Sequence, residues 1–134
     1  MTDLYTSLAG RSVLLIEDDC FTASYLSAAI AAAGAVVVGP FVSEAAALEQ
    51  VDAAVELPAA AVIAAHLPGG FCAALAGTLR DRAVPCIFTG SRPGVSLPTG
   101  WEDQDILAKP YASYQVVDAV AASLAPLARD RIRA

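Results

Sequence analysis

The sequence predicts an α/β fold, a doubly wound five-stranded parallel sheet with helices on both faces. Three observations carry this expectation. Short apolar runs rich in β-branched residues alternate with longer Ala/Leu segments of helical period, through five rounds. The connections are short, and strands joined by right-handed helical crossovers lie parallel. The strand candidates are apolar at nearly every residue, as strands covered on both faces are.

"SVLLIE" (12–17) is the first strand, too uniformly apolar for a half-exposed antiparallel one. "FTASYLSAAIAAAG" (21–34) is the first helix, with Tyr25, Leu26, Ile30 and Ala33 on one stripe and Gly34 as its stop. "AVVVG" (35–39) is the second strand. "SEAAALEQVDAAV" (43–55) is the second helix, with Ser43 as N-cap and Glu44 in the first turn, where a negative charge suits the helix dipole. "AAVIAA" (60–65) is the third strand, closed by the turn Pro68-Gly69-Gly70. "FCAALAGTLRDR" (71–82) is a helix and "VPCIFTG" (84–90) the fourth strand. "SRPGVSLPTGWEDQ" (91–104) carries Gly and Pro turn signals and little periodicity, so its helix, the fourth, is expected to be short or irregular. "DILAK" (105–109) is the fifth strand. The last helix runs over 113–131, with Val117, Val120 and Leu124 facing inward.

The chain of 134 residues suits one domain, 1–134, with a core at about 11–127 and no output domain after it. Eight Lys and Arg against 14 Asp and Glu give a net charge of −6, which argues against nucleic acid as a partner. The one basic cluster, Arg129 to Ala134, reads as a solvated helix end. Cys20, Cys72 and Cys86 are odd in number and far apart, so they read as reduced thiols filling core space. With neither a signal peptide nor about 20 successive apolar residues, the chain is expected to be cytoplasmic and off the membrane.

In parallel sheets of this kind, function sits at the carboxyl ends of the strands. Strand one ends in Glu17-Asp18-Asp19. Carboxylates this close repel one another and raise each other's pKa, and a hard cation such as Mg²⁺ relieves the repulsion. Asp19 also suits an N-cap. No Gly-rich loop follows, which argues against a dinucleotide fold or a P-loop. Strand four ends in Thr89-Gly90, where the hydroxyl can serve an anion or the turn. Strand five ends in Lys109-Pro110-Tyr111. Burying an ammonium without a partner is costly, so Lys109 is expected to face the carboxylates of strand one. Together the acids, the hydroxyl and the lysine are the parts needed to hold a metal and a phosphoryl group.

With "VLLIEDD" (13–19), "HLPGG" (66–70), "IFTG" (87–90) and "LAKPY" (107–111), the chain resembles the receiver domain of two-component response regulators, a (βα)5 flavodoxin-like fold. The resemblance implies Mg²⁺ held by Glu17, Asp18 and the backbone carbonyl of His66. It implies Thr89 and Lys109 as the residues that engage phosphoryl oxygens. The phosphoacceptor position, four residues before Pro68, falls on Ala64, which has no oxygen to accept a phosphoryl group. Ala65 is expected on the opposite face of the strand, and His66, past the strand end, supplies only its carbonyl. Three residues before Lys109, where the family commonly carries a reporting Tyr or Phe, stands Ile106. With one acid missing, Mg²⁺ binding is expected to be weak or lost, and no cofactor is required. Trp101 packs on the fourth or fifth strand or marks an interface.

These residues predict a stand-alone pseudo-receiver in phosphorelay signal transduction, not an enzyme, acting by protein contact. Its implied partners are a histidine kinase, a phosphotransferase or another signalling protein, with a homodimer as a further arrangement. Two alternatives stand beside it. One is a phospho-accepting receiver in which residue 64 is Asp by nature and was replaced by Ala. The other is a metal-assisted hydrolase using Glu17, Asp18 and Asp19, for which no nucleophile–base pair is visible.

Overall fold

The computed structural model describes residues 7–90, 97–101, 104, 106–108 and 111–125. Among these the elements run β1 (Ser12–Ile16), α1 (Cys20–Ala32), β2 (Val36–Phe41), α2 (Glu44–Ala53), β3 (Ala60–Ala64), α3 (Ala73–Asp81), β4 (Cys86–Gly90), β5 (Ile106–Ala108) and α4 (Ser113–Leu124). Each matches an element expected from the sequence, with ends moved by a residue or two, except that the last helix, expected to reach 131, stops at Leu124 with Ala125 extended as its C-cap. Of 91–104, only 97–101 and 104 are described, and these are not helical. Lys109 and the helical expectation for 126–131 lie outside the described residues.

The five strands form one sheet in the order β2-β1-β3-β4-β5, with every pairing parallel. Strand order reverses between β1 and β3. The chain steps outward to β2 and then returns past β1, so a crevice opens above the carboxyl ends of these central strands.

Side-chain alternation divides the core in two. On one face Val13, Leu15 and Val62 meet Leu26 and Ile30 of α1 and Val116 and Val120 of α4. On the other, Leu14, Ile16 and Ile63 meet Ala47 and Val51 of α2 and Leu75 and Leu79 of α3. Both faces of β1 and β3 are thus covered, which is why their sequences lack polar alternation.

Two helix starts follow the expected capping chemistry. The Asp19 carboxylate accepts the Thr22 amide at 2.8 Å, and Ser43 Oγ accepts the Ala46 amide at 3.3 Å. The start of α3 has no side-chain cap of its own. The Glu44 carboxylate reaches across from α2 and accepts the Leu75 amide at 3.1 Å.

Two inward assignments need correction. Tyr25 is half-exposed rather than part of the core stripe, because its hydroxyl accepts the Ser113 amide at 2.9 Å where α4 begins. That donation favours the phenolate and lowers the Tyr25 pKa from its ordinary value. Cys20 opens α1 in the exposed turn after the acids and fills no core space, whereas Cys72 is buried and Cys86 half-buried. Leu124, at the end of α4, packs on the same core cluster as Val117 and Val120 while partly exposed, and Val116 joins them fully buried.

Candidate functional site

The carboxyl ends of β1, β3 and β4 enclose a small cleft of about 110 Å³, lined by Glu17, Asp18, Asp19, Ala64, His66, Thr89 and Gly90. Residues distant in sequence therefore meet where the sequence places the chemistry. The parallel register sets Ala64 of β3 opposite Thr89 of β4, and the Ala65 amide donates to the Thr89 carbonyl at 2.7 Å. β3 ends there. Ala65 is buried and packs in the α2/α3-side core, in the same cluster as Ala64.

The acids differ in environment. Glu17 is 4% exposed, Asp18 and Asp19 are exposed. The Glu17 amide donates to the Phe41 carbonyl at 2.9 Å, tying the end of β1 to β2. Its carboxylate accepts the Asp19 amide at 3.0 Å, which folds the acidic turn back on itself. Asp19 serves the cap of α1, accepting from both the amide and the hydroxyl of Thr22. Asp18 is the exposed acid of the turn that has no such structural duty.

Thr89 is 2% exposed and lines the cleft. Beside it lies a residue whose role the sequence reading missed. The Tyr111 hydroxyl is buried next to Thr89 and has no well-aligned hydrogen-bond partner among the described residues. Burial and the nearby Glu17 carboxylate push the Tyr111 phenol above its ordinary range, and the Thr89 hydroxyl partly offsets this. The aromatic residue closing "LAKPY" was the available signal.

Ile106 packs directly on Gly90. A Cβ added at Gly90 would stand 2.9 Å from Ile106 Cγ2, so this close strand approach requires glycine. The Ile106 side chain belongs to the α2/α3-side core with Phe88 and Trp101. Trp101 is 8% exposed and packs on β4, its ring centroid 5.9 Å from Phe88 and 5.7 Å from Phe71.

The donor set suits Mg²⁺ poorly. An octahedral hard cation wants several oxygens, and β3 brings a methyl group where a third carboxylate would complete the cluster. The Asp19 carboxylate is committed to its cap, and no group of three or more metal-ligating side chains comes together among the described residues.

Solved structures share this architecture. SdrG of Sphingomonas melonis Fr1 is 27% identical, covering 89% of this chain and 98% of its own, with a TM-score of 0.72. The PhyR stress response regulator is also 27% identical, over 87% of this chain, with a TM-score of 0.73. The chain has the receiver-domain fold. The chain spans less than half of PhyR, 45% of that chain. A response regulator receiver protein from Sinorhizobium medicae WSM419 shares the fold at 21% identity, covering 85% of this chain and 94% of its own, with a TM-score of 0.68. No protein-family model and no curated protein matches the chain. No helix among the described residues is long and apolar enough to cross a membrane.

Proposed function

We propose that this receiver domain works in phosphorelay signalling by protein contact, without aspartyl phosphorylation. The observation that carries the reading is Ala64. It lies 6% exposed in the cleft, in register with Thr89, on the strand end that the resemblance assigns to the phosphoacceptor. A methyl group neither attacks phosphorus nor carries a charge that mimics the phosphorylated state. Glu17, Asp18, Thr89 and Lys109 are then remnants of a phosphoryl site, and Ile106 stands at the switch position. Contact rather than catalysis transmits the signal, from one unit spanning 1–134 in the cytoplasm.

The face best suited to contact is α1 with the start of α4. Phe21 is 83% exposed in the first turn of α1, and Tyr25 and Tyr114 expose large parts of their rings nearby. A shallow, largely apolar groove of about 200 Å³ between the helices is lined by Ala29, Ala32, Tyr114 and Val117. Exposed aromatic residues of this kind anchor protein interfaces. A histidine kinase or phosphotransferase helix fits the face in shape and chemistry.

The test is incubation with acetyl phosphate, or with beryllofluoride and Mg²⁺, followed by intact mass and Trp101 fluorescence. The native chain is expected to show neither an adduct nor an emission change. A stable phospho-adduct on the native chain overturns the reading.

A further inference from the structure

A further concavity lies at the opposite end of the sheet, where β4 begins. It holds about 350 Å³ between the end of α3, the start of β4, the turn at Trp101 and α4. We propose that this pocket binds a small organic carboxylate with an apolar body. It is separate from the Ala64 cleft and does not depend on the function proposed for it.

The cationic element is Arg80, in the last turn of α3. Its guanidinium carbon lies 4.1 Å from the centre of the Trp101 ring, a stacking distance that holds the head group in place. It forms no ion pair with another described residue. A stacked guanidinium keeps its N–H edge available, and that edge matches a carboxylate with two parallel hydrogen bonds.

The wall behind Arg80 is rigid. Trp101 is locked by Phe71 and Phe88, whose own rings are 5.4 Å apart, and the Trp101 amide donates to the Pro98 carbonyl at 2.9 Å. Val84 and Pro85 supply apolar surface. The Cys86 thiol lies 3.7 Å from the Val84 carbonyl, and burial pushes its pKa up to about 11, so it acts as a neutral apolar lining group. Ser123 donates its hydroxyl proton to the Val120 carbonyl at 2.6 Å and offers only acceptor lone pairs. The carboxamide of Gln104 is the other side-chain donor on the rim. One fixed cation, one neutral donor and an apolar wall select a single anionic head on an apolar body. The volume lies in the range of small-molecule sites, roughly 300–1,000 Å³.

Trp101 is the chain's one tryptophan, so its emission and indole N–H resonance report directly on the pocket. Benzoate is the probe, with acetate (charge without body) and benzamide (body without charge) as comparisons. Benzoate is expected to shift the Trp101 signals saturably, with at least tenfold weaker responses to acetate and benzamide. Arg80→Gln is expected to lose at least tenfold in benzoate affinity, and Arg80→Lys, which keeps charge and stem but not the fork, to fall between. Amide-spectrum dispersion checks that each variant is folded, and Gln104→Ala is a second variant expected to weaken binding if Arg80 substitutions unfold the chain. Thr89→Ala is expected to bind like the native chain. A linear response to benzoate, equal binding by folded Arg80→Gln, or shifts confined to the Ala64 cleft each overturn the proposal.

Discussion

Ala64 and Thr89 are register partners across β3 and β4, their strands joined at that point by the 2.7 Å bond from the Ala65 amide to the Thr89 carbonyl. The hydroxyl expected to receive a phosphoryl oxygen therefore stands beside a side chain that cannot hold one. Restoring Ala64→Asp is expected to confer phosphorylation by acetyl phosphate, read as one added phosphoryl group in the intact mass. Failure of a folded Ala64→Asp variant to form the adduct means that the remaining residues no longer make a phosphoryl site.

The same substitution separates two metal behaviours. Millimolar Mg²⁺ is expected to leave the thermal midpoint of the native chain almost unchanged, because binding weaker than the working concentration adds little stability. In Ala64→Asp the added carboxylate faces Glu17 and Asp18. Each unit by which they raise its pKa costs about 1.4 kcal/mol at neutral pH. Mg²⁺ is expected to relieve that cost and raise the midpoint by several degrees. A rise of that size in the native chain contradicts the weak-site expectation.

Glu44 ties two helices, since it caps α3 from α2 through the Leu75 amide. Glu44→Ala leaves that amide without its acceptor and is expected to cost about 1 kcal/mol, read from the urea midpoint. Glu44→Gln keeps an oxygen in place and is expected to lose less than half of that. Equal losses in the two variants assign the effect to charge near the start of α2 instead.

Gly39 has φ of +112°, and an added Cβ would meet the Leu15 carbonyl oxygen at 2.7 Å and the Phe41 amide nitrogen at 2.8 Å. Backbone strain of this kind costs roughly 1–3 kcal/mol before any clash is counted. Gly39→Ala is therefore expected to lower the thermal midpoint clearly, while Gly69→Ala, with nothing near its added Cβ, is expected to change it little.

The thiols give a pH dependence. Burial raises both Cys72 and Cys86 from 9.0 to about 11, with the Glu44 carboxylate adding to the effect at Cys72. Between about pH 9 and 11 the unfolded chain loses these protons while the folded chain keeps them, so stability is expected to fall across that window. Replacing both with Ala or Ser is expected to flatten the decline. At pH 8, iodoacetamide is expected to label exposed Cys20 first and Cys72 only on unfolding.

The fold was legible because β1 and β3 are buried on both faces, so hydrophobicity alone marked them. The cleft was legible because strand ends in a parallel sheet converge, which let Glu17, Asp18, Ala64 and Thr89 be grouped before any geometry was known. What escaped depends on contacts between distant segments. Periodicity put Tyr25 on the core stripe of α1, but its hydroxyl instead meets the Ser113 amide of α4. Glu44 reads as a first-turn acid of its own helix, and its reach to Leu75 follows only from the packing of α2 against α3. Arg80 reads as a helix-end cation, and only the turn of the chain at Trp101 sets an indole beneath it. Tyr111 reads as the residue after a Pro, with no local sign that its hydroxyl is buried beside Thr89.

The cleft beside Ala64 has one more consequence. A longer side chain at 64 extends into space the molecule already encloses, at the end of a strand paired with β1 through Ile63 and with β4 through Ala64 itself. The main chain is therefore indifferent to whether alanine or aspartate stands there. Alanine codons that end in a pyrimidine differ from aspartate codons by a single base. A domain built this way can lose or regain an acceptor in one mutational step, with its scaffold carried unchanged through the exchange.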